Sequence, residues 1–177
     1  VSPETPEALK LLGRKTVEAF GVKSRFVHLE FFRLDRDRGE LGKKGDFVAL
    51  EVNMRPAGGY TPDMINFAHS TDIYRIWADM IAYDKSQLAA SYKHNSGNAL
   101  SLPWKEEYYC TFASRRDIYE YVHSTEDVVN KYGEQIVMCE RMPEILSGAM
   151  GQQMFTVKVK TREESEEFIK YVHEKKQ

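Results

Sequence analysis

Three polar side chains spaced two apart in Phe47–Arg55 (FVALEVNMR) have the chemistry to hold a cation beside an anion. The stretch alternates as a half-buried strand does. Val48, Leu50, Val52 and Met54 are expected on one face, and Phe47, Ala49, Glu51, Asn53 and Arg55 on the other. At a rise of ~3.3 Å per residue, Glu51, Asn53 and Arg55 then stand in a row about 7 Å apart. Glu and Asn offer oxygens, which Mg²⁺ prefers. Arg grips anionic oxygens through a planar fork. The plainer reading is a solvated strand face, which antiparallel sheets often carry.

The preceding stretch, Arg25–Arg33 (RFVHLEFFR), also alternates. Val27, Leu29 and Phe31 share one face; Phe26, His28, Glu30 and Phe32 share the other. The intervening Leu34–Asp46 is rich in charge and Gly, so the pair is expected to form an antiparallel hairpin. Glu30 then lies near Glu51 and Asn53, in surroundings made partly apolar by Phe26, Phe31 and Phe32. Two converging carboxylates need a shared proton or a cation. A divalent metal is the simpler solution.

HLEFF followed after a hairpin by LEVNMR resembles the end of the nucleotide-binding lobe of the ATP-grasp superfamily. The spacing most resembles the carbamoyl-phosphate synthase and biotin carboxylase branch, and the likeness covers roughly Ala8 to Asp84. The resemblance implies that Glu30, Glu51 and Asn53 are metal ligands for Mg²⁺ (or Mn²⁺) bridging ATP phosphates. It implies that Arg55 faces a reacting acyl phosphate. A complete member carries lysines, a Gly-rich loop and an adenine-binding segment upstream; here only a helix precedes the hairpin. The chain therefore reads as the C-terminal part of a longer ligase, and by itself is expected to fold without turning over ATP. ATP and a small carboxylate would be partners through the full-length protein.

The chain has 177 residues, which suits one domain or two small ones. Its 42% hydrophobic and 12% aromatic content is enough for a core and argues against disorder. Lys plus Arg (25) nearly balances Asp plus Glu (27), leaving no footprint for nucleic acid and no basic membrane face. Cys110 and Cys139 lack CxxC spacing and read as buried thiols of a reducing, cytoplasmic setting. No apolar run approaches the ~18 residues of a membrane span, and no signal peptide is evident. Homodimer formation is compatible with the sequence.

The fold class expected is α+β: an antiparallel sheet with covering helices, followed by a small α+β subdomain, with domains 1–85 and 86–177. Thr5–Phe20 reads as a helix with Thr5 as N-cap, covering the sheet face opposite the site. Pro56-Ala57-Gly58-Gly59-Tyr60 ends the second strand. Gly58 and Gly59 would let backbone approach a ligand, or simply make a strand-to-helix turn. Thr61 opens a helix to His69, Ser70 or Thr71 caps another, and Ile73, Ile76, Trp77, Met80 and Ile81 form its core stripe. Lys85–Lys105 reads as a loop. Tyr108–Ala113, Tyr119–His123, Gln135–Arg141 and Gln152–Lys160 read as strands, with turns at Ser114–Ile118 and Ser147–Gly151. Ser124 caps a helix through Tyr132, and Thr161 with Glu164 makes a capping box for the last helix.

The five histidines form no i, i+4 pair and no HExxH, so a zinc site is not expected. His28 either lines the phosphate site or is a structural histidine bonded to a neighbour. No P-loop, GxGxxG or serine nucleophile elbow is present. The function expected is part of an ATP- and Mg-dependent ligase that activates a carboxylate as an acyl phosphate. The alternatives are a non-catalytic interaction or dimerisation module and a metal-dependent phosphohydrolase.

Overall fold

The structure, a computed structural model, describes residues 5–22, 25–84 and 108–176. These form an α+β chain with one two-stranded and one three-stranded antiparallel sheet. They fall into two compact units, one of residues 5–62 and 72–84, the other of residues 63–71 and 108–176. The boundary expected at 85/86 and the loop Lys85–Lys105 lie outside the described residues.

The first unit opens with α1 (Glu7–Ala19). Its N-cap is Pro6, not Thr5: Pro6 has an extended ψ of 135°, and its carbonyl accepts from Leu9 and Lys10. The fixed proline φ starts the helix without a side-chain cap. β1 (His28–Arg33) and β2 (Phe47–Asn53) form the expected hairpin, each shorter than its alternating stretch. The loop between them is itself hydrogen-bonded. The Leu34 amide donates to Asp46 O while Leu34 O accepts from the Gly45 amide, Asp37 accepts from the Lys44 amide, and a single 3₁₀ turn spans Gly39–Leu41. A β1 side chain, Leu29, lies 3.6 Å from where a Cβ on Gly13 of α1 would sit. The helix thus meets the hairpin on the Leu29 face, away from Glu30.

α2 (Thr61–His69) and α3 (Ile73–Tyr83) follow. The cap of α3 is Asp72, whose carboxylate accepts from the Arg75 amide at 2.9 Å, rather than Ser70 or Thr71. Only Ile73 and Ile76 of the expected core stripe are buried; Trp77 and Ile81 are exposed.

The second unit has β3 (Tyr109–Arg115), α4 (Thr125–Tyr132), β4 (Ile136–Arg141), α5 (Glu144–Met150), β5 (Gln153–Val159) and α6 (Arg162–His173). Strand order is β3-β5-β4, with β5 antiparallel to both neighbours. β5 is the core strand: Met154, Phe155, Thr156 and Val157 are all fully buried, so both its faces are covered. Phe155 and Val157 join Val128 and Tyr132 of α4 and Phe168 and Val172 of α6 in one apolar cluster. Both helices start on reciprocal capping boxes, Ser124 with Asp127 and Thr161 with Glu164.

Two expectations fail here. Tyr119–His123 is not a strand; only Tyr121 makes an isolated bridge, to Lys175, while Ser114 and Arg115 remain within β3. Ser147–Gly151 is not a free turn but the end of α5, where Gly151 takes φ +85°. A Cβ on Gly151 would also come within 2.7 Å of the Ser114 hydroxyl. Arg115 is buried, donating Nε to Val172 O and Nη1 to His123 O at 2.7 Å each. It ties the end of α6 to the irregular segment before α4. No described helix is long and apolar enough to cross a membrane.

Removing the Phe168 ring opens the centre of the second unit, so Phe168→Ala should cost about 3–5 kcal/mol, read by urea unfolding. Acid sensitivity is a second expectation. Hydrogen bonds from Arg141 hold the Asp117 carboxyl below its ordinary value, and those from Ser124 do the same for Asp127. A depressed carboxyl stabilises the fold fully above the unfolded Asp value of about 4 and ceases to as pH drops through the lower folded value. Unfolding midpoints should therefore fall below about pH 4. Asp117→Asn and Asp127→Asn should each flatten that decline; a double variant with the wild-type profile would refute the assignment.

Candidate functional site

The hairpin register sets what the site can be. His28 pairs with Asn53, Leu29 with Val52 and Glu30 with Glu51; then the register slips, and Phe31 pairs with Ala49. Leu50 is the extra residue of a bulge, and it is 54% exposed. Directly paired residues project to the same side of a sheet. His28, Glu30, Glu51 and Asn53 therefore share one face, as the alternation required. The bulge reverses the phase below it, so Val48, opposite Phe32, joins the Glu30 face instead of opposing it. Phe47 and Ala49 move to the Leu29 face.

Glu30 is partly open to solvent and Glu51 is exposed. His28 Nε2 is 3.4 Å from a Glu30 oxygen. The Nδ1 of His28 and the side-chain amide nitrogen of Asn53, on directly paired residues, are buried with no partner among the described residues. Two carboxylates and an amide oxygen are a hard donor set, suited to Mg²⁺ or Mn²⁺. The set is small: among the described residues no three His, Cys, Asp or Glu side chains gather into a metal-holding group. Mg²⁺ commonly takes only one or two carboxylates from protein and the rest from phosphate and water, so the donors fit a shared site.

Arg55 does not continue the row. β2 ends at Asn53, the chain bends, and Arg55 donates Nη1 to Pro56 O at 2.9 Å. It lines a cavity of about 180 Å³ walled mainly by Pro56, Ala57, Pro62, Ile73 and Trp77. Sequence periodicity assigned Ile73 and Trp77 to the core. They lie one turn apart in the first half of α3, the second helix after the Pro56–Gly59 loop, and no local sequence signal ties that helix to the loop.

The two glycines differ. Gly58 O accepts from the Thr61 amide at 3.4 Å, and a Cβ on Gly58 would meet nothing within 4 Å. Gly59 sits at φ +60°. Its glycine is explained by turn conformation, without any ligand. The thiols are poor nucleophiles, since burial pushes Cys110 up to about 11 and raises Cys139 as well.

A second polar group lies in the other unit. His123 stacks on Tyr171 at 3.6 Å and its Nε2 is 3.0 Å from Glu174. These contacts bind the irregular segment to α6.

Compared with known proteins, the chain matches no family model, no curated protein and no solved structure.

The glycine contrast is testable. Gly59→Ala forces a side chain into the left-handed region and should cost about 1–2 kcal/mol. Gly58→Ala has room and should be neutral or slightly stabilising. Equal losses in urea unfolding would contradict the turn geometry.

Proposed function

We propose that the chain carries the cation- and phosphate-facing part of an ATP-dependent ligase site of the ATP-grasp type, in the carbamoyl-phosphate synthase and biotin carboxylase-like branch. The observation that supports this most is the direct pairing of Glu30 with Glu51, beside the pairing of His28 with Asn53. On an unliganded surface, like charges directly opposite are unfavourable. A shared divalent cation removes that repulsion.

In this reading Glu30, Glu51 and Asn53 hold the cation, and His28 and the Gly58-Gly59 backbone border the nucleotide phosphates. The cation, when bound, offsets charge on the phosphate oxygens. A substrate carboxylate oxygen attacks the γ-phosphorus of ATP. The bond from that phosphorus to the β–γ bridging oxygen breaks, and ADP leaves with the electron pair. Arg55 donates to the oxyanion of the resulting acyl phosphate. The resemblance also implies phosphate-covering lysines and a Gly-rich loop, so turnover is read in a complete ligase that contains the chain.

A non-catalytic interaction module is the second reading, favoured by the exposed Trp77, Ile81 and Tyr83 of α3. Metal binding separates the two. Mn²⁺ should bind weakly to the chain alone and more tightly with ATP present, and Glu51→Gln should weaken it, as followed by Mn²⁺ electron paramagnetic resonance. In a ligase containing the chain, Glu51→Gln and Arg55→Ala should each lower kcat by about 10²–10³, the loss typical of one charge-stabilising group. Glu126→Gln on α4 should leave kcat unchanged. Metal binding indifferent to Glu51→Gln, or undiminished ADP release by that variant, would refute the ligase reading.

A further inference from the structure

We propose that the cavity at the end of β2 takes a small carboxylic acid with an aromatic or branched aliphatic body, its carboxylate resting on Arg55. That this acid is the one activated rests on the ligase reading above; that it binds does not.

Size comes first. The cavity holds about 180 Å³. An apolar protein cavity of about 150 Å³ takes one benzene ring, so a single ring or a branched chain of similar bulk fits here. The wall chemistry comes second. Pro56, Pro62 and Ile73 are apolar, and Trp77 and Tyr74 add flat aromatic surface. Such a wall gains from burying hydrocarbon and offers little to a hydrated ion such as free phosphate.

Charge comes third. Among the described residues, Arg55 is the one charged residue on the wall, and no carboxylate lines the cavity. A cationic ligand would find no partner there. Of the guanidinium's donors, Nη1 is engaged by Pro56 O. The others have no partner among the described residues and form a planar pair suited to a carboxylate. Position comes last. The loop carrying Arg55 follows directly from the strand carrying Glu51 and Asn53, so a carboxylate held there belongs to the same end of the hairpin as the cation ligands.

The test uses the full chain with Trp104→Phe, which leaves Trp77 as the single tryptophan reporter, in buffer containing EDTA and no nucleotide. Hydrocinnamate and isocaproate should change Trp77 emission saturably, with millimolar affinity. Propionate, which lacks the body, and hydrocinnamyl alcohol, which lacks the charge, should each bind at least about tenfold more weakly. Arg55→Ala should lose about the same factor for hydrocinnamate and nothing for the alcohol, while Arg55→Lys should restore part of it. The proposal is overturned if the alcohol binds as tightly as the acid, if Arg55→Ala leaves acid binding unchanged, or if inorganic phosphate or adenosine displaces the acid at lower concentration. Because metal and nucleotide are absent, failure here leaves the metal-binding tests standing, and their failure leaves this result standing.

Discussion

Two carboxylates paired across a two-stranded ribbon constrain everything around them. Glu30 and Glu51 face each other at the point where the ribbon also bulges. Like charges directly opposite disfavour pairing by a few tenths to about 1 kcal/mol. A two-stranded ribbon has little independent stability to offset that. The ribbon needs support from its other face, and the approach of α1 at Gly13 to Leu29 provides it. The charged face is thereby left clear of the helix. Support on one side and function on the other follow from strand alternation alone.

The bulge adds a second constraint. With Leu50 as the extra residue, the phase of β2 changes between Ala49 and Glu51. Apolar Val48 and Phe32 then lie on the acidic face just below the two carboxylates. They lower the local polarity without burying the acids, which strengthens any interaction with a bound cation. Above the acids, His28 and Asn53 complete the polar end, where the His28 Nδ1 and the Asn53 amide nitrogen are buried with no partner among the described residues.

Much of this was legible because it is local. Thr161 and Glu164, three residues apart, announce a capping box without reference to the rest of the chain, and the structure contains it. The hairpin was legible because two alternating stretches flank a Gly-rich charged loop. The bulge was not, because leucine suits either face and nothing in its neighbours marks an insertion. Tyr119–His123 has strand-like residues but finds no ladder, since strand formation depends on a partner that no local pattern supplies. Ser147–Gly151 suggested a turn by residue type. Instead Pro143 sets the start of a helix, its carbonyl accepting from Leu146 and Ser147, and that helix runs through Met150 with Gly151 as its cap. Arg55 followed the strand period in sequence, but β2 ends at Asn53, the chain bends, and the side chain lines the cavity.

The two units differ in how they hold together, and the difference bears on the site. The second unit has a strand buried on both faces and a continuous apolar cluster. In the first, α1 contains no buried residue, and the described buried side chains are confined to Pro62, Ile73 and Ile76. Among its described residues, hydrogen bonds and the hairpin register carry more of the architecture than a core does. Segments of that kind open at lower free energy than packed cores. A ligand that binds only the closed form stabilises it in proportion to ligand concentration over Kd. A cation shared between Glu30 and Glu51 would act on the least secured element, converting its main repulsion into a cross-strand tie. An acid seated against Trp77 and Arg55 would cover apolar surface that this unit leaves open. Among the described residues, the same small core leaves both surfaces open to ligands.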